Sequence, residues 1–435
     1  MLWRHKDRKK NNTFAVQNPN YTIMTINLII FASNVHKGSM VRTAHEPVLS
    51  ELERSYTLNF IDCKDIDKLS VNDFSIIFIT TGGVERSVIQ HFESLPRPII
   101  ILADGLQNSL ASAMEVSTWL RARGTKSEIL HGEPVGIAKR IQILYNNFLA
   151  QRKLRGMRIG VIGTSSPWLI ASNVDYLLAK RRWGVEYVDI SLSRVQDLYD
   201  QITDDEVGEA CAEFASKALA IREGSPEDIL KAMRLYRAIK QVCIEENLRA
   251  TTISCFKIIE QMGTTGCLAI ALLNDEGIYA GCEGDLQSIF TLLVVRTLTG
   301  KDGFMANPSM INMRTNEIVL AHCTIGIKQT EKYIIRNHFE TETGIAIQGI
   351  LPTGEVTIVK CGGESLDEYY LGAGMLTENP NFINMCRTQV RIKMDTSPEY
   401  FLKNPLGNHH IMIQGNYVDL LNEFFIANNC KRIDN

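Results

Sequence analysis

The sequence predicts an α/β protein: two Rossmann-like parallel-sheet domains followed by a β-rich, barrel-like C-terminal domain. Three observations carry this. From Thr25 onward, short Val/Ile/Leu runs alternate with amphipathic helical stretches, and the same alternation restarts after a polar break near Gly156. Beyond about Lys301 the helical spacing gives way to short segments of period-two alternation. Continuous apolar strands joined by crossover helices belong to a parallel sheet covered on both faces, whose loops at the carboxyl ends of the strands face a ligand. Period-two segments separated by turn residues belong to antiparallel pairs.

The first domain, 24–155, reads as INLIIFA, a helix near Arg42 to Ser55, SIIFITT, a helix near Val84 to Phe92, PIIILAD, a helix near Ser109 to Arg123 and a long helix from Pro134 to Arg155. Asn34, His36, Thr81, Gly82, Gly83, Asp104 and Gly105 fall at the carboxyl edge of its strands. The second domain, 156–301, opens on MRIGVIGTSS, continues with a helix around Trp168 to Ala179, GVEYVDI and further helices to Asn247, and ends in TTISCF, CLAIALL and YAGCEGD. Gly160 and Gly163 follow its first strand. GVIGTSS lacks the GxGxxG spacing of a dinucleotide site, so a tight turn is the leading reading and nicotinamide binding at Gly160 to Ser166 the alternative. The third domain, 302–435, contains EIVLAHCTIG, KYIIRNHF, GIAIQGIL, EVTIVKCG, EYYLGAGML, QVRIKM and HHIMIQG, with turns at Pro352-Thr353-Gly354 and Gly362-Gly363 and a final helix from Asn416 to Ala427.

Composition narrows the function. The chain has 435 residues, 45% of them hydrophobic, enough for more than one core. A formal net charge of -3 gives no general attraction to nucleic acid or an anionic membrane and leaves small molecules as partners. No apolar run approaches the roughly 20 residues of a membrane helix. The 10 cysteines form no CxxC pair and several sit in apolar runs, which fits buried thiols in a reducing cytoplasm. Residues 1–23 carry Arg4, Lys6, Arg8, Lys9 and Lys10 with no apolar segment after them, so a disordered leader is expected, with Met24 a candidate translation start.

One stretch carries a resemblance. GIYAGCEGDLQSIFTLLVVRTLTGKDGFMANP resembles the segment in which L-fucose and L-arabinose isomerases place a metal-binding glutamate at a strand end, then a helix, then a second metal-binding carboxylate on the next strand. The three-part architecture is similar as well, and the likeness runs the length of the chain. It implies Glu283 as the first ligand, within a Glu-Gly-Asp triplet like that of the arabinose enzymes. The second carboxylate maps to Asn307 by the fucose spacing, 24 residues after Glu283, and to Ala306 by the arabinose pattern; neither is an acid. IVLAHCT resembles the arabinose segment bearing a ligand histidine, which maps to His322. LGNHHIMIQGN resembles the last histidine motif of both families and implies His409 or His410, with Asn408-His409 matching the Asn-His of the fucose enzymes. The implied metal set is Glu283, Asn307 and His409, with His322, His410, Trp168 and His36 toward the substrate. His36 and Lys37 lie in a loop from which fucose isomerases reach into a neighbouring subunit, so a closed homo-oligomer, trimeric or hexameric, is implied.

The residue types suit the implied chemistry. Converting an aldose to a ketose moves a proton between adjacent carbons through an enediol, with negative charge on two oxygens. A divalent cation, Mn²⁺ foremost and Mg²⁺ as the alternative, stabilises that charge. Glu283 and Asp285 are the candidate proton carriers; Asn307 can offer an amide oxygen but cannot accept a proton near neutral pH. Bland roles stay open. Acids at a strand-to-helix junction also favour a helix N-terminus, His322 also reads as a core histidine, and Trp168 also reads as a packing anchor. Adjacent His409 and His410 point to opposite faces of an extended chain, so at most one is a direct ligand. His338, in RNHFETETG, is a weaker candidate that reads first as part of a surface cluster with Glu340. Two functions follow: a metal-dependent sugar isomerase, or a non-catalytic sugar-binding or regulatory paralogue with a degenerate site.

Overall fold

The computed structural model describes residues 24–33, 41–70 and 72–434, so the expected leader, Asn34 and His36 lie outside the described residues. The chain divides into two compact units, Met1–Gln142 and Ile143–Asn435.

In the first unit, β1 (Met24–Phe31), β2 (Tyr56–Asp62), β3 (Ser75–Ile79), β4 (Ile99–Leu102) and β5 (Ser127–Leu130) form one sheet in the order β2-β1-β3-β4-β5. Every pairing is parallel. The inner strands are the continuous apolar runs of the sequence, and Ile76 to Ile79 are buried on both faces under the crossover helices. β2 and β5 are absent from the sequence reading because they are edge strands. YTLNFID mixes polar and exposed positions, and SEIL is four residues long. At the carboxyl edge of β4, Asp104 accepts from the Leu106 amide at 3.1 Å and binds the buried His45 ring at 2.5 Å, which makes this polar corner a clamp.

The second unit opens with another parallel sheet. It contains β6 (Arg158–Ile162), β7 (Glu186–Ile190), β9 (Leu248–Ile253) and β10 (Tyr279–Gly281) in the order β10-β9-β6-β7, while β8 (Ala220–Ile221) lies apart from it. Strand order reverses between β6 and β9, and that switch opens a crevice at the strands' carboxyl ends. Trp168 precedes the first helix here instead of starting it. The helix runs Tyr176–Trp183, capped by the Asp175 carboxylate on the Leu177 and Leu178 amides. CLAIALL forms the helix Cys267–Glu276, buried almost all round.

The remaining strands are β11 (Phe304–Asn312), β12 (Glu317–His322), β13 (Lys332–Arg336), β14 (Ala346–Ile350), β15 (Gly354–Gly362), β16 (Glu368–Glu378), β17 (Thr388–Met394), β18 (His410–Gln414) and β19 (Lys431–Arg432). Six of them run β15-β18-β11-β12-β17-β16, and β15 pairs back onto β16, which closes an antiparallel barrel. KYIIRNHF and GIAIQGIL were expected in that barrel; they form β13 and β14, which pair with each other, and β13 also pairs with β8, in a separate three-stranded sheet. The fold is therefore parallel α/β sheets followed by a C-terminal antiparallel barrel. The helix Leu286–Thr299 lies against β15, where Thr291 Oγ1 accepts from the Cys361 amide at 3.0 Å. Among the described residues no helix is long and apolar enough to cross a membrane.

Candidate metal centre

β10 ends at Gly281, and the next four residues, Cys282-Glu283-Gly284-Asp285, turn the chain into the helix Leu286–Thr299. Glu283 (φ 61) and Gly284 (φ 68) are both left-handed. That conformation costs a non-glycine residue about 1–2 kcal/mol. A Cβ on residue 284 would come within 2.6 Å of Ser165 Cα and 2.7 Å of the Thr164 carbonyl oxygen, so this position takes only glycine without rearrangement. The strained pair is held from outside. The Ser166 amide donates to the Glu283 carbonyl at 2.9 Å and the Gly284 amide to the Ile253 carbonyl at 3.1 Å. Ser165 Oγ donates to the Gly284 carbonyl at 2.7 Å. The turn at Gly163, from the sequence's GVIGTSS, thus clamps the Glu283 loop.

Asp285 caps the helix, accepting from the Ser288 amide at 2.7 Å and Ser288 Oγ at 2.8 Å. Its Oδ2 also meets His409 Nδ1 at 2.9 Å and Lys360 Nζ at 3.5 Å. Asp285, Lys360 and His409 are all 0% exposed. Burial alone would raise the Asp285 pKa; the Lys360 charge and the His409 hydrogen bond reverse this and hold the carboxyl well below the usual carboxylate range. Burial draws the Lys360 ammonium below an ordinary lysine's value, opposed by Asp285, and Ser288 Oγ accepts from it at 2.7 Å.

With Nδ1 tied to Asp285, His409 turns Nε2 toward the Glu283 carboxylate, 3.6 Å from Oε1. This Nε2 is buried and has no hydrogen-bond partner. The ring centroid of His322 lies 5.4 Å from that of His409, and one donor atom each from Glu283, His322 and His409 lie within 4.8 Å of one another. His322 Nδ1 is held by Thr324 Oγ1 at 3.0 Å, which leaves Nε2 as its other ring nitrogen. Trp168 Nε1 donates to Glu283 Oε2 at 2.7 Å. Burial lowers the His322 pKa to about 3, so its imidazole is neutral and ready to ligate. Burial would lower His409 too, but the Asp285 hydrogen bond and the charges of Asp285 and Glu283 raise it above its ordinary value. Burial would raise Glu283; the close approach and charge of the His409 ring bring it down to about 2. An orphaned buried nitrogen, a second imidazole and a carboxylate are a donor set that fits a divalent cation.

The structure thus brings together Glu283, His409, His322 and Trp168, with Asp285 directly behind His409. Asn307 is half-buried on β11, paired with Ala321, the residue before His322. His410 turns away from the cluster. Its Nε2 meets Tyr400 Oη at 3.0 Å and its Nδ1 the Asn408 carbonyl at 3.3 Å, within rings of Tyr370, Tyr400 and Phe401. The sequence reading missed Lys360, although a lysine inside the apolar run EVTIVKCG signals a buried charge with a partner. It also missed Ser165 and Ser166, whose contacts with the Glu283 loop are long-range, and Thr324, which holds His322 from two residues on.

No protein-family model matches the chain. It is 24% identical over 222 residues to a sulfoquinovose isomerase of Clostridium sp. (strain MSTE9), covering 50% of this chain and 49% of that protein. It is 24% identical over 194 residues to an L-arabinose isomerase of Nocardioides sp. (strain ATCC BAA-499 / JS614), covering 43% of this chain and 38% of that protein. The matched chain thus spans half or less of the length of these relatives. Both relatives are sugar isomerases by name, and the chain has the parallel sheets and terminal barrel expected from the sequence resemblance. The chain is thus similar, over half or less of its length, to two sugar isomerases, and this agrees with the resemblance of its motifs to the L-fucose and L-arabinose isomerase superfamily.

Proposed function

We propose that the chain is a metal-dependent aldose–ketose isomerase acting on a pentose, a deoxyhexose or a modified sugar. The observation that carries this is the convergence of Glu283, His322 and His409, from three separate parts of the sequence, around one orphaned buried nitrogen. Glu283, His322 and His409 hold the ion; Asn307, whose partner on β12 is Ala321, is not among the three side chains that converge. A bound divalent cation supplies Lewis-acid stabilisation of charge on the two oxygens of the enediolate. Two imidazoles beside one carboxylate favour Mn²⁺ over Mg²⁺.

Asp285 acts as a positioning residue. Its carboxylate is filled by Ser288, Lys360 and His409, and it fixes the His409 tautomer so that Nε2 presents a lone pair. Glu283, which also touches the Trp168 indole, is the carboxylate left facing the reacting sugar. Trp168 is half exposed and offers its ring for sugar stacking.

The replacement of the second carboxylate by Asn307 favours one other reading: a sugar-binding paralogue that keeps the ion but not the turnover. Metal analysis of the purified protein, with and without added Mn²⁺, combined with a panel of L-arabinose, L-fucose, sulfoquinovose and their ketoses, separates the two. Mn²⁺-dependent turnover that disappears in Glu283→Gln, together with the bound ion, supports the isomerase. Bound Mn²⁺ and sugar without turnover support the paralogue, and no Mn²⁺ binding overturns both. We further propose a cytoplasmic enzyme, in keeping with its ten free cysteines, and a closed trimer or hexamer. Light scattering that gives only a monomer overturns the oligomer.

A further inference from the structure

An isomerase needs a group to move the carbon-bound proton, and position 307 supplies an amide where the related enzymes have an acid. Among the described residues around the cluster, the titratable groups are few. Asp285 is saturated and lies behind His409. Lys360 lies deeper still, behind Asp285. Both ring nitrogens of His410 are engaged in its aromatic nest, and Glu283, His322 and His409 are placed to hold the ion.

The exception is His338. It lies in the turn after β13 and is 9% exposed. Its ring meets Phe256 edge-on at 5.7 Å between centroids, Phe256 meets Trp168 edge-on at 5.0 Å, and Trp168 donates to Glu283. The three rings thus line a wall that ends on the candidate metal ligand. His338 is also close enough to sense the Glu283 charge and to be sensed by His322.

The turn is rigidly held. The His338 amide donates to the Thr343 carbonyl at 3.0 Å and its carbonyl accepts from the Glu342 amide at 2.9 Å. Arg387 grips the preceding Asn337 through its carbonyl at 3.0 Å and its side-chain oxygen. Phe339, the following residue, packs against Cys323, the neighbour of His322. His338 Nδ1 meets Thr341 Oγ1 at 3.1 Å, and Thr341 Oγ1 meets Thr343 Oγ1 at 2.9 Å. With Nδ1 donating to Thr341 Oγ1 and that hydroxyl donating on to Thr343 Oγ1, Nε2 keeps the lone pair, which is the form of a general base.

We propose that His338 stands in for the missing second carboxylate as the carrier of the carbon-bound proton, with Thr341 and Thr343 setting its tautomer. This rests on the isomerase reading above. In the open-chain aldose, His338 Nε2 takes the proton from C2. The C2–H electron pair becomes the C1=C2 bond, and the carbonyl pair moves onto O1 to give the enediolate. As the O2 hydroxyl gives up its proton toward O1 and becomes the ketose carbonyl, the C1=C2 pair recaptures the His338 proton at C1. Atoms and electrons balance, with no external oxidant or co-reactant. Burial and the nearby Arg387 charge keep His338 below 6.5, so it is neutral near pH 7.

The test uses the full-length Mn²⁺-loaded protein in D₂O with whichever of L-arabinose, L-fucose and sulfoquinovose the wild type turns over, and NMR follows deuterium entering the sugar carbon alongside kcat. His338→Gln should lower both by about 10²- to 10⁴-fold, the range of a lost general base, with Mn²⁺ affinity changed by less than about threefold. Thr341→Val should lower kcat by about tenfold and shift the acid limb of the kcat profile, which a purely structural role would leave in place. His338→Gln that retains exchange and kcat within about threefold overturns the assignment and leaves the isomerase reading standing. A wild type that binds Mn²⁺ but exchanges no proton with any of the three sugars overturns the isomerase reading, and this assignment with it.

Discussion

Lys360→Met tests the buried charge network behind the metal centre. Lys360 and Asp285 are both 0% exposed, 3.5 Å apart, with His409 on the other side of the same carboxylate. Methionine fills nearly the same volume but leaves the Asp285 charge with one cation fewer. Breaking one side of a buried pair costs about 3–5 kcal/mol. Asp285 keeps the Ser288 amide at 2.7 Å, Ser288 Oγ at 2.8 Å and His409 at 2.9 Å. The expected loss is therefore near the lower end, about 3 kcal/mol. Urea unfolding followed by tryptophan fluorescence reads it, since the buried Trp183 reports on this unit. Asp285→Asn in the Lys360→Met background removes the stranded charge, so the double variant should be more stable than additivity by at least about 1 kcal/mol. The network also has a functional sign. With Lys360 gone, the whole Asp285 charge acts on His409 and raises its pKa further, so the pH at which Mn²⁺ begins to bind moves up. A single-variant loss under about 1 kcal/mol, or exact additivity in the double variant, would refute the claim that Lys360 is there to neutralise Asp285.

Four further outcomes follow from the same geometry. Because His409 is raised above 6.5 and must be neutral to ligate, Mn²⁺ binding at pH 6 should release a proton and weaken about tenfold per pH unit below that pKa; calorimetry in buffers of different ionisation enthalpy counts the proton, and zero release contradicts the arrangement. Conversely, Glu283 is lowered from 4.5 to about 2, so its contribution to metal-free stability, about 3 kcal/mol, is present above pH 4.5 and lost as pH falls toward 2, which acid unfolding of wild type against Glu283→Gln measures. Gly284→Ala, forced to φ 68 against Ser165 and Thr164, should cost about 2 kcal/mol in urea and weaken Mn²⁺ binding by displacing Glu283; unchanged stability would mean that the clamp yields freely. Asn307→Asp should leave kcat within about threefold if His338 carries the proton, and a gain of tenfold or more would return that role to position 307.

How much of this was legible in the sequence follows from the range of the interactions. The inner strands of both parallel sheets and most strands of the barrel are apolar or alternating runs that period identifies; β11, which carries Pro308, was placed on a strand only by the family resemblance. β2 and β5 escaped because an edge strand needs no continuous apolar run. β13 and β14 have the same alternation as barrel strands, and only their pairing with β8, more than a hundred residues upstream, sends them elsewhere. The site divides in the same way. Glu283, His322 and His409 were nameable because motif likeness marks the ends of strands. Which neighbour of His409 faces inward is a matter of where β18 begins. The structure starts that strand at His410, whose ring enters the aromatic nest, so His409 at the strand's threshold turns toward Asp285.

What no local pattern could supply is the charge balance. Glu283 and Asp285 look alike in CEGDLQS, two acids one residue apart before a helix. Their environments separate them: the left-handed backbone at Glu283 and the Gly284 turn leave its carboxylate facing Trp168 and His409, while Asp285, pulled back onto the helix end, meets Ser288 and a lysine from β15 that lies 75 residues away in sequence. One acid is left able to share a cation and the other is neutralised to aim a histidine. The same logic explains why a substitution at position 307 need not end the chemistry. Proton transfer requires a base of suitable pKa on the wall of the site, and the proposed carrier, His338, with Nδ1 on Thr341 Oγ1, offers one from the turn after β13 instead of from β11.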